Sequence, residues 1–507
     1  MYTHPEARDF NTYNSIWTVN SPSARPPLPP GPKGLPLIGN VLDMPSESEW
    51  LTFAEWGRQY GGLCSVTLMG QPMIIVNSGE IMEQLDKRGS LHSDRPRLQM
   101  AGELVGYSKT LVLVPYGQRL RNYRRHVSRM IGSPGTLSQF HPMIEAETHM
   151  FLKRTAANPD SDLLSHNLRK TSGSIILKLS YGIEVQEEND PFVSLIERAN
   201  DNFSLATKPG AFLVDVFPSL RHIPPGFPGA KFHQLAAKWA KDFNDMIEVP
   251  FNFTKELMSK GIAPVSFVSA SLEHEDKLSE NEIFEIKHTA ASIYAAGADT
   301  TVSDQYSVFL AMVRHPEVLH KAQAEIDSVV GNERLPTFSD REHLPYLNAV
   351  LTESLRWNSV APTGVPHRSM EDDIIGGYFI PKGSIIITNL WNMLNDPEVY
   401  PDPFKFDPER HISLPGKPAQ KDPRHACFGF GRRVCVGMHL AEASLWIYIA
   451  MILAVFDITP ALDEQGNPII PEHENTTGTI SHPKPFKCIV KPRSEKALSL
   501  ITADIAR

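Results

Sequence analysis

Phe428-Gly429-Phe430-Gly431-Arg432-Arg433-Val434-Cys435-Val436-Gly437 places one cysteine in a glycine-punctuated loop, with an arginine two residues before it and a glycine two after. A helix-like apolar run, Ala441 to Phe456, follows at once. A cysteine thiolate is a soft, anionic ligand suited to a transition metal. Glycines let backbone turn sharply and come close to a flat cofactor. N–H groups near the sulfur can hydrogen-bond to it and tune its donation. Arg433 offers a planar fork to a carboxylate. The plain alternative is a glycine turn around a structural cysteine, because free cysteine packs as a small hydrophobe. Partner motifs upstream decide between the two.

The first partner is Ala295-Ala296-Gly297-Ala298-Asp299-Thr300-Thr301, which interrupts a helical pattern running from about Asn281 to Val313. Glycine within a helix costs about 1 kcal/mol against alanine, and small neighbours forfeit packing, so the stretch leaves room. Thr300 can bond back to the carbonyl of Ala296 and open a groove for water or dioxygen. Asp299 and Thr300 then form a proton relay to reducing oxygen. Close helix–helix packing at small residues is the competing reading. The second partner is Glu353-Ser354-Leu355-Arg356, with Glu and Arg on one helical face, able to pair bidentately. Farther on stands Tyr400-Pro401-Asp402-Pro403-Phe404-Lys405-Phe406-Asp407-Pro408-Glu409-Arg410. Two arginines around one carboxylate make its burial tolerable.

Read as F-x-x-G-x-R-x-C-x-G, the cysteine stretch resembles the haem-ligand loop of the cytochromes P450. The match to [AG]-G-x-[DE]-T-[TS] at Ala296 to Thr301, the E-x-x-R pair and the P-E-R turn extend the resemblance from about Pro26 to residue 495. It implies haem b with Cys435 as axial thiolate, and Phe428, Gly429, Gly437 and Arg433 around the cofactor. Thiolate ligation favours O–O cleavage. Glu353, Arg356 and Arg410 become a structural triad that shapes the cysteine loop, with Arg410 inserted beside the Glu–Arg pair. Arg124 and His367 fall where the family meets a haem propionate, although Leu120 stands where the family's tryptophan is expected. Arg368 is the alternative to His367, since strand alternation points only one of them inward.

Composition is consistent with this. At 507 residues, 41% hydrophobic and 21% charged, the chain can bury a large core. A net charge of −9 argues against nucleic acid as partner. Four scattered cysteines without a C-x-x-C pair are neither a disulfide scaffold nor a zinc ribbon. No run reaches the roughly 18 apolar residues of a membrane span, and Ala443 to Phe456 reads as a buried core helix.

The expected fold is mainly α with a small β region, the cytochrome P450 fold, with haem between the oxygen-binding helix and the cysteine loop. Residues 1–25 read as a disordered segment without a transmembrane anchor, 26–32 as a proline-rich hinge, and 33–507 as a single haem-thiolate catalytic domain. A hairpin is expected over Ser65–Leu68 and Met73–Val76, across Gly70-Gln71-Pro72. Helical patterns run from about Gln118 to Phe456, with a strand-rich interlude near residues 360 to 390. Lys208–Leu213 and Ile223–Gly229 read either as a greasy lid or as ordinary packed loops. Arg121, Arg125 and Arg129 form one stripe, either a solvated face or a docking patch for an acidic electron donor.

The resemblance implies a monooxygenase that inserts one atom of O2 into an apolar small molecule. Terpenoid, polyketide, indole and fatty substrates of fungal secondary metabolism stay open. Electrons would come from NADPH through a diflavin reductase. The expected place is the cytosolic face of the endoplasmic reticulum membrane, with peripheral attachment or a truncated anchor. A haem-thiolate isomerase, dehydratase or peroxygenase is the alternative, and a non-catalytic haem sensor is a more distant one. The Asp299–Thr300 pair argues for oxygen activation.

Overall fold

The computed structural model describes residues 25–208 and 210–503. The disordered segment expected over 1–25 therefore lies almost wholly outside the described residues.

Strands β1 (Leu63–Leu68) and β2 (Gln71–Val76) form an antiparallel hairpin with Leu68 opposite Gln71. The turn is Met69-Gly70, both at positive φ (49° and 86°), the two-residue geometry that matches strand twist. Pro72 is thus inside β2, opposite Thr67, and not in the turn as expected. A fixed φ near −65° excludes proline from the turn positions, and the next strand pairs with β2 only from Met73 onward. That next strand is β6 (Ile385–Thr388), parallel to β2, followed by β3 (His367–Arg368) in the order β1-β2-β6-β3. Between them β4 (Asp373–Ile375) and β5 (Tyr378–Ile380) make a small hairpin. A sheet that sequence periodicity did not reveal follows the last long helix: β7 (Phe456–Leu462), β8 (Pro468–Ile469) and β9 (Cys488–Pro492), in the order β8-β7-β9.

The central helix runs unbroken from Glu280 to Arg314, started by Ser279, whose hydroxyl accepts from the Glu282 amide. The expected interruption at 295–301 is absent. Thr300 does donate to the Ala296 carbonyl at 2.8 Å, yet the helix accommodates this bond within its turns. Gly297 serves packing: a Cβ there would lie 2.4 Å from Ile176 Cδ1 on the neighbouring Leu164–Tyr181 helix. At this residue close helix approach, the competing reading, is what the structure uses.

The Met438–Val455 helix is 18 residues long and apolar enough for a bilayer, but 72% of it is buried inside the fold. It is the core helix expected after the cysteine loop, but it starts five residues earlier than Ala443 and so reaches the length that the sequence reading denied it. Tyr448 on it packs against Phe151 at 5.1 Å between ring centroids. The central helix above and the cysteine loop below leave one large cavity between them.

Candidate active site

The cysteine loop is fixed from both sides. Gly429 and Gly431 adopt φ of 75° and 64°, open to glycine at little cost. Gly431 also sits where a Cβ would meet the Ser93 Oγ at 3.2 Å and the Gly89 Cα at 3.3 Å. Its N–H donates to Asp86 Oδ1 at 2.6 Å, and the Arg432 N–H to Ser93 Oγ at 3.1 Å. The loop closes on itself through the Cys435 N–H and the Phe428 carbonyl, 2.9 Å apart. From the other side Arg124, on the helix Gln118–Ile131, donates to the Val434 carbonyl at 2.7 Å. The Cys435 sulfur opens onto the cavity, while protein surrounds it elsewhere. Burial pushes its thiol up, opposed by the Gly437 N–H and the charge of Arg124. A metal cation would reverse that balance, since a coordinating thiol is deprotonated. A Cβ at Gly437 would be 3.9 Å from this sulfur, an ordinary contact, so protein packing alone does not demand glycine there.

Three buried or half-buried arginines meet beside the cysteine. Arg433 donates to the carbonyls of Ser93 (2.8 Å), Leu111 (3.2 Å) and Val114 (2.5 Å). Arg95 donates to Val112 (2.9 Å), Val365 (2.5 Å) and Pro366 (2.8 Å). Burial lowers the Arg433 guanidinium to about 10, and burial with the nearby Arg433 charge lowers Arg95. Arg124 is lowered by burial as well. Asp94 is the carboxylate that acts on Arg95 and Arg433, and it also pairs with Arg368 at 2.8 Å. So positive charge here exceeds its protein counter-charge. The residues fit a planar group that brings two carboxylates and a metal to one place, which is the chemistry of haem.

His367 lines the cavity, and Arg368 faces Asp94. The His367 ring stacks on Phe430 with centroids 4.3 Å apart, and its Nδ1 is 2.6 Å from the His92 carbonyl. Burial, with Arg95 and Arg433 nearby, holds it well below the ordinary imidazole range, so the ring is neutral and Nδ1 donates. Arg95 was not singled out by sequence. Its role emerges only when residues 270 apart in the chain meet.

On the opposite wall Thr300 and Asp299 of the central helix face the cavity, which measures about 590 Å3. Asp299 Oδ1 accepts from Arg169 Nη1 at 2.8 Å and lies 3.2 Å from His482 Nε2. Burial would raise this carboxyl, but His482 and Arg169 together outweigh it and hold the group below its usual range. Both partners come from distant segments and carried no sequence signal. Leu120, in place of an aromatic donor, lines the cavity with an apolar side chain. Thr110, Leu111, Val360, Val365, Thr479 and Ile480 line it as well. The proline- and glycine-rich loops do not. Asn200, Phe203 and Ser204 of the helix Pro191–Thr207 form that wall instead. Pro209 lies outside the described residues. Leu213, Phe217 and Phe227 are exposed, so the greasy outer face is present.

Beneath the loop Glu353 is fully buried. Arg356 Nε and Nη2 reach its two oxygens at 2.8 Å each, and Arg410 Nε reaches Oε1 at 3.1 Å. Two further donors complete it: His411 Nε2 at 2.8 Å and the Asp407 N–H at 2.9 Å. His411 directly follows the P-E-R turn and was overlooked. Arg121, Arg125 and Arg129 are exposed, and Arg121 donates to Gln118 at 3.1 Å.

A mainly helical chain with a thiol, a carboxylate–hydroxyl pair and an arginine cluster around one cavity has the parts that an oxidoreductase of the haem-thiolate class requires. Comparison with known proteins agrees. The cytochrome P450 family model matches residues 29–490. Cytochrome P450 monooxygenase 208 of Postia placenta is 51% identical over 482 residues, covering 95% of this chain and 93% of the relative. Cytochrome P450 monooxygenase claR of Ampulloclitocybe clavipes is 45% identical, covering 94% and 88%. Tryptamine 4-monooxygenase of Psilocybe cyanescens is 39% identical, covering 94% and 95%. This chain belongs to the cytochrome P450 family and is a monooxygenase.

Proposed function

We propose that Cys435 is the axial thiolate of a bound haem b and that the chain places one atom of O2 into an apolar or aromatic small molecule. The observation that carries this reading is the convergence of the Cys435 sulfur with Arg95, Arg124, Arg433 and a neutral His367 on one cavity. Those four side chains would take the haem carboxylates. Thiolate-bound haem supplies the electron density that favours O–O cleavage.

The chain's own groups supply proton and substrate control. Asp299 is held as a carboxylate, with Oδ1 committed to Arg169 and His482. It takes a proton from the solvent side and passes it toward the Thr300 hydroxyl, whose own proton is directed at the Ala296 carbonyl at rest. Apolar walls at Ile176, Leu111, Val360 and Ile480 hold the substrate by burial of apolar surface. The kinship with an enzyme named for tryptamine favours the indole class among the terpenoid, polyketide, indole and fatty candidates. Electrons come from an NADPH-dependent diflavin reductase that docks at Arg121, Arg125 and the outer side of the cysteine loop. Leu213, Phe217 and Phe227 rest on the cytosolic face of the endoplasmic reticulum membrane.

Turnover with reductase, NADPH and isotopically heavy dioxygen, read by mass spectrometry, tests this reading. One heavy oxygen atom per product molecule is expected. Product without heavy oxygen would replace it with isomerisation or dehydration.

A further inference from the structure

One acidic group in the cavity wall has no part in this scheme. Asp304 lies four residues beyond Thr300 on the central helix, hence one turn along the same face. It lines the same cavity and is 4% exposed. Its Oδ1 accepts from Ser307 Oγ at 3.2 Å, while Oδ2 is buried with no partner among the described residues. Its surroundings are uncharged. Its own helix offers Ser307, the Pro345–Trp357 helix offers Ser354, and the segment Arg424–Cys427 offers the Cys427 thiol. Arg424 and Asp422 act on Cys427 but not on Asp304.

Burial pushes this carboxyl up to about 7, with Ser307 and Ser354 only partly opposing. Asp299, five residues earlier, has two basic partners and is held low. Below about pH 7 these neighbouring carboxyls on one helix therefore rest in opposite protonation states. A carboxylate with a bare buried oxygen is costly, whereas the protonated acid is neutral and escapes most of that cost.

We propose that Asp304 is a neutral carboxylic acid in the wall of the haem pocket and that its ionisation sets how readily the bound haem accepts an electron. This rests on the haem reading above. With haem bound, its one-electron reduction by the reductase would be accompanied by uptake of one proton from solvent at the Asp304 carboxylate wherever that group was ionised beforehand. A negative charge beside the cofactor disfavours the added electron, and by linkage the added electron favours the proton.

Two measurements on the haem-loaded protein and one on the haem-free protein test this. In potentiometric titration with a chemical reductant, the native midpoint potential falls from about pH 6 to about pH 8 more steeply than that of Asp304→Asn. The variant stays near the native low-pH value. His367 and the haem carboxylates are common to both proteins and cancel in the difference. Asp304→Leu, with the same branched heavy-atom skeleton, repeats the comparison if the amide disturbs packing. Infrared spectra of the native protein, with and without haem, show a protonated carboxyl band that fades on raising pH and is missing from Asp304→Asn. Equal pH slopes in native and variant, or a carboxyl ionised throughout, would overturn the proposal. A protein that binds no haem would instead overturn the reading on which it rests, and the infrared band of the haem-free chain keeps the two failures apart.

Discussion

Replacing Glu353 by Gln keeps the shape beneath the cysteine loop and removes one charge. Arg356 is then left without its carboxylate in a place that is 0% exposed, and Arg410 in one that is 2% exposed. The native carboxyl resists burial through hydrogen bonds and charge from Arg356, His411 and Arg410, which lower it from 4.5 to about 2. Such a lowering corresponds to roughly 3 kcal/mol. Breaking a buried ion pair from one side costs about 3–5 kcal/mol by an independent route. Both are a large share of a total stability of about 5–15 kcal/mol. The sign is fixed: the folded-state value lies below the unfolded one, so this stability is complete above pH 4.5 and disappears as pH falls toward 2. Urea unfolding of native and Glu353→Gln protein at neutral pH is expected to differ by about 3–5 kcal/mol. The gap narrows as pH drops through the carboxyl range. Haem retention, read from the Soret band, falls in parallel because the loop loses its support. A difference below about 1 kcal/mol at neutral pH, or one that does not change in acid, would refute the argument.

Thr300→Ala is expected to uncouple NADPH use from product, with hydrogen peroxide in place of oxygenated substrate; tight coupling in the variant would remove Thr300 from the relay. Arg95→Gln withdraws one of the three arginines and loses about 1.5–3 kcal/mol of charge-assisted bonding, so haem dissociates at least tenfold faster, and an unchanged rate would assign the carboxylates to Arg124, Arg433 and His367. Gly297→Val drives a branched side chain into Ile176 and lowers stability by about 1–3 kcal/mol. Ile176→Ala in the same chain restores part of it, and the absence of any rescue would show that the clash lies elsewhere.

Much of the site was readable because its parts are local. The spacing of Phe428, Arg433, Cys435 and Gly437 is set within one loop, the Glu353–Arg356 pair within one helical turn, and the Thr300–Ala296 bond likewise. Arg95, Arg169 and His482 were not readable, because each gains its role from a partner far along the chain: Arg169 meets Asp299 across 130 residues. Gly297 misled for a related reason. A small residue on a helix looks the same in sequence whether the space is left for a ligand or filled by a neighbouring isoleucine. The β7–β9 sheet escaped because β7 follows the apolar core helix without a break, Val455 ending one element and Phe456 beginning the next.

The pairing of β2 with β6 joins residues 312 apart, Met73 with Ile385 among them. During synthesis at about 5–20 residues per second the first strand pair waits roughly 15–60 s for its neighbour. For that time β2 offers Met73, Ile74, Ile75 and Val76, all buried in the finished fold, along an unsatisfied edge that invites pairing with other chains. Arg95 waits nearly as long for Val365, 270 residues on, and Arg433 with Cys435 emerges later still. The nascent chain must therefore be shielded through most of its translation, and the cofactor pocket closes only near the end of it.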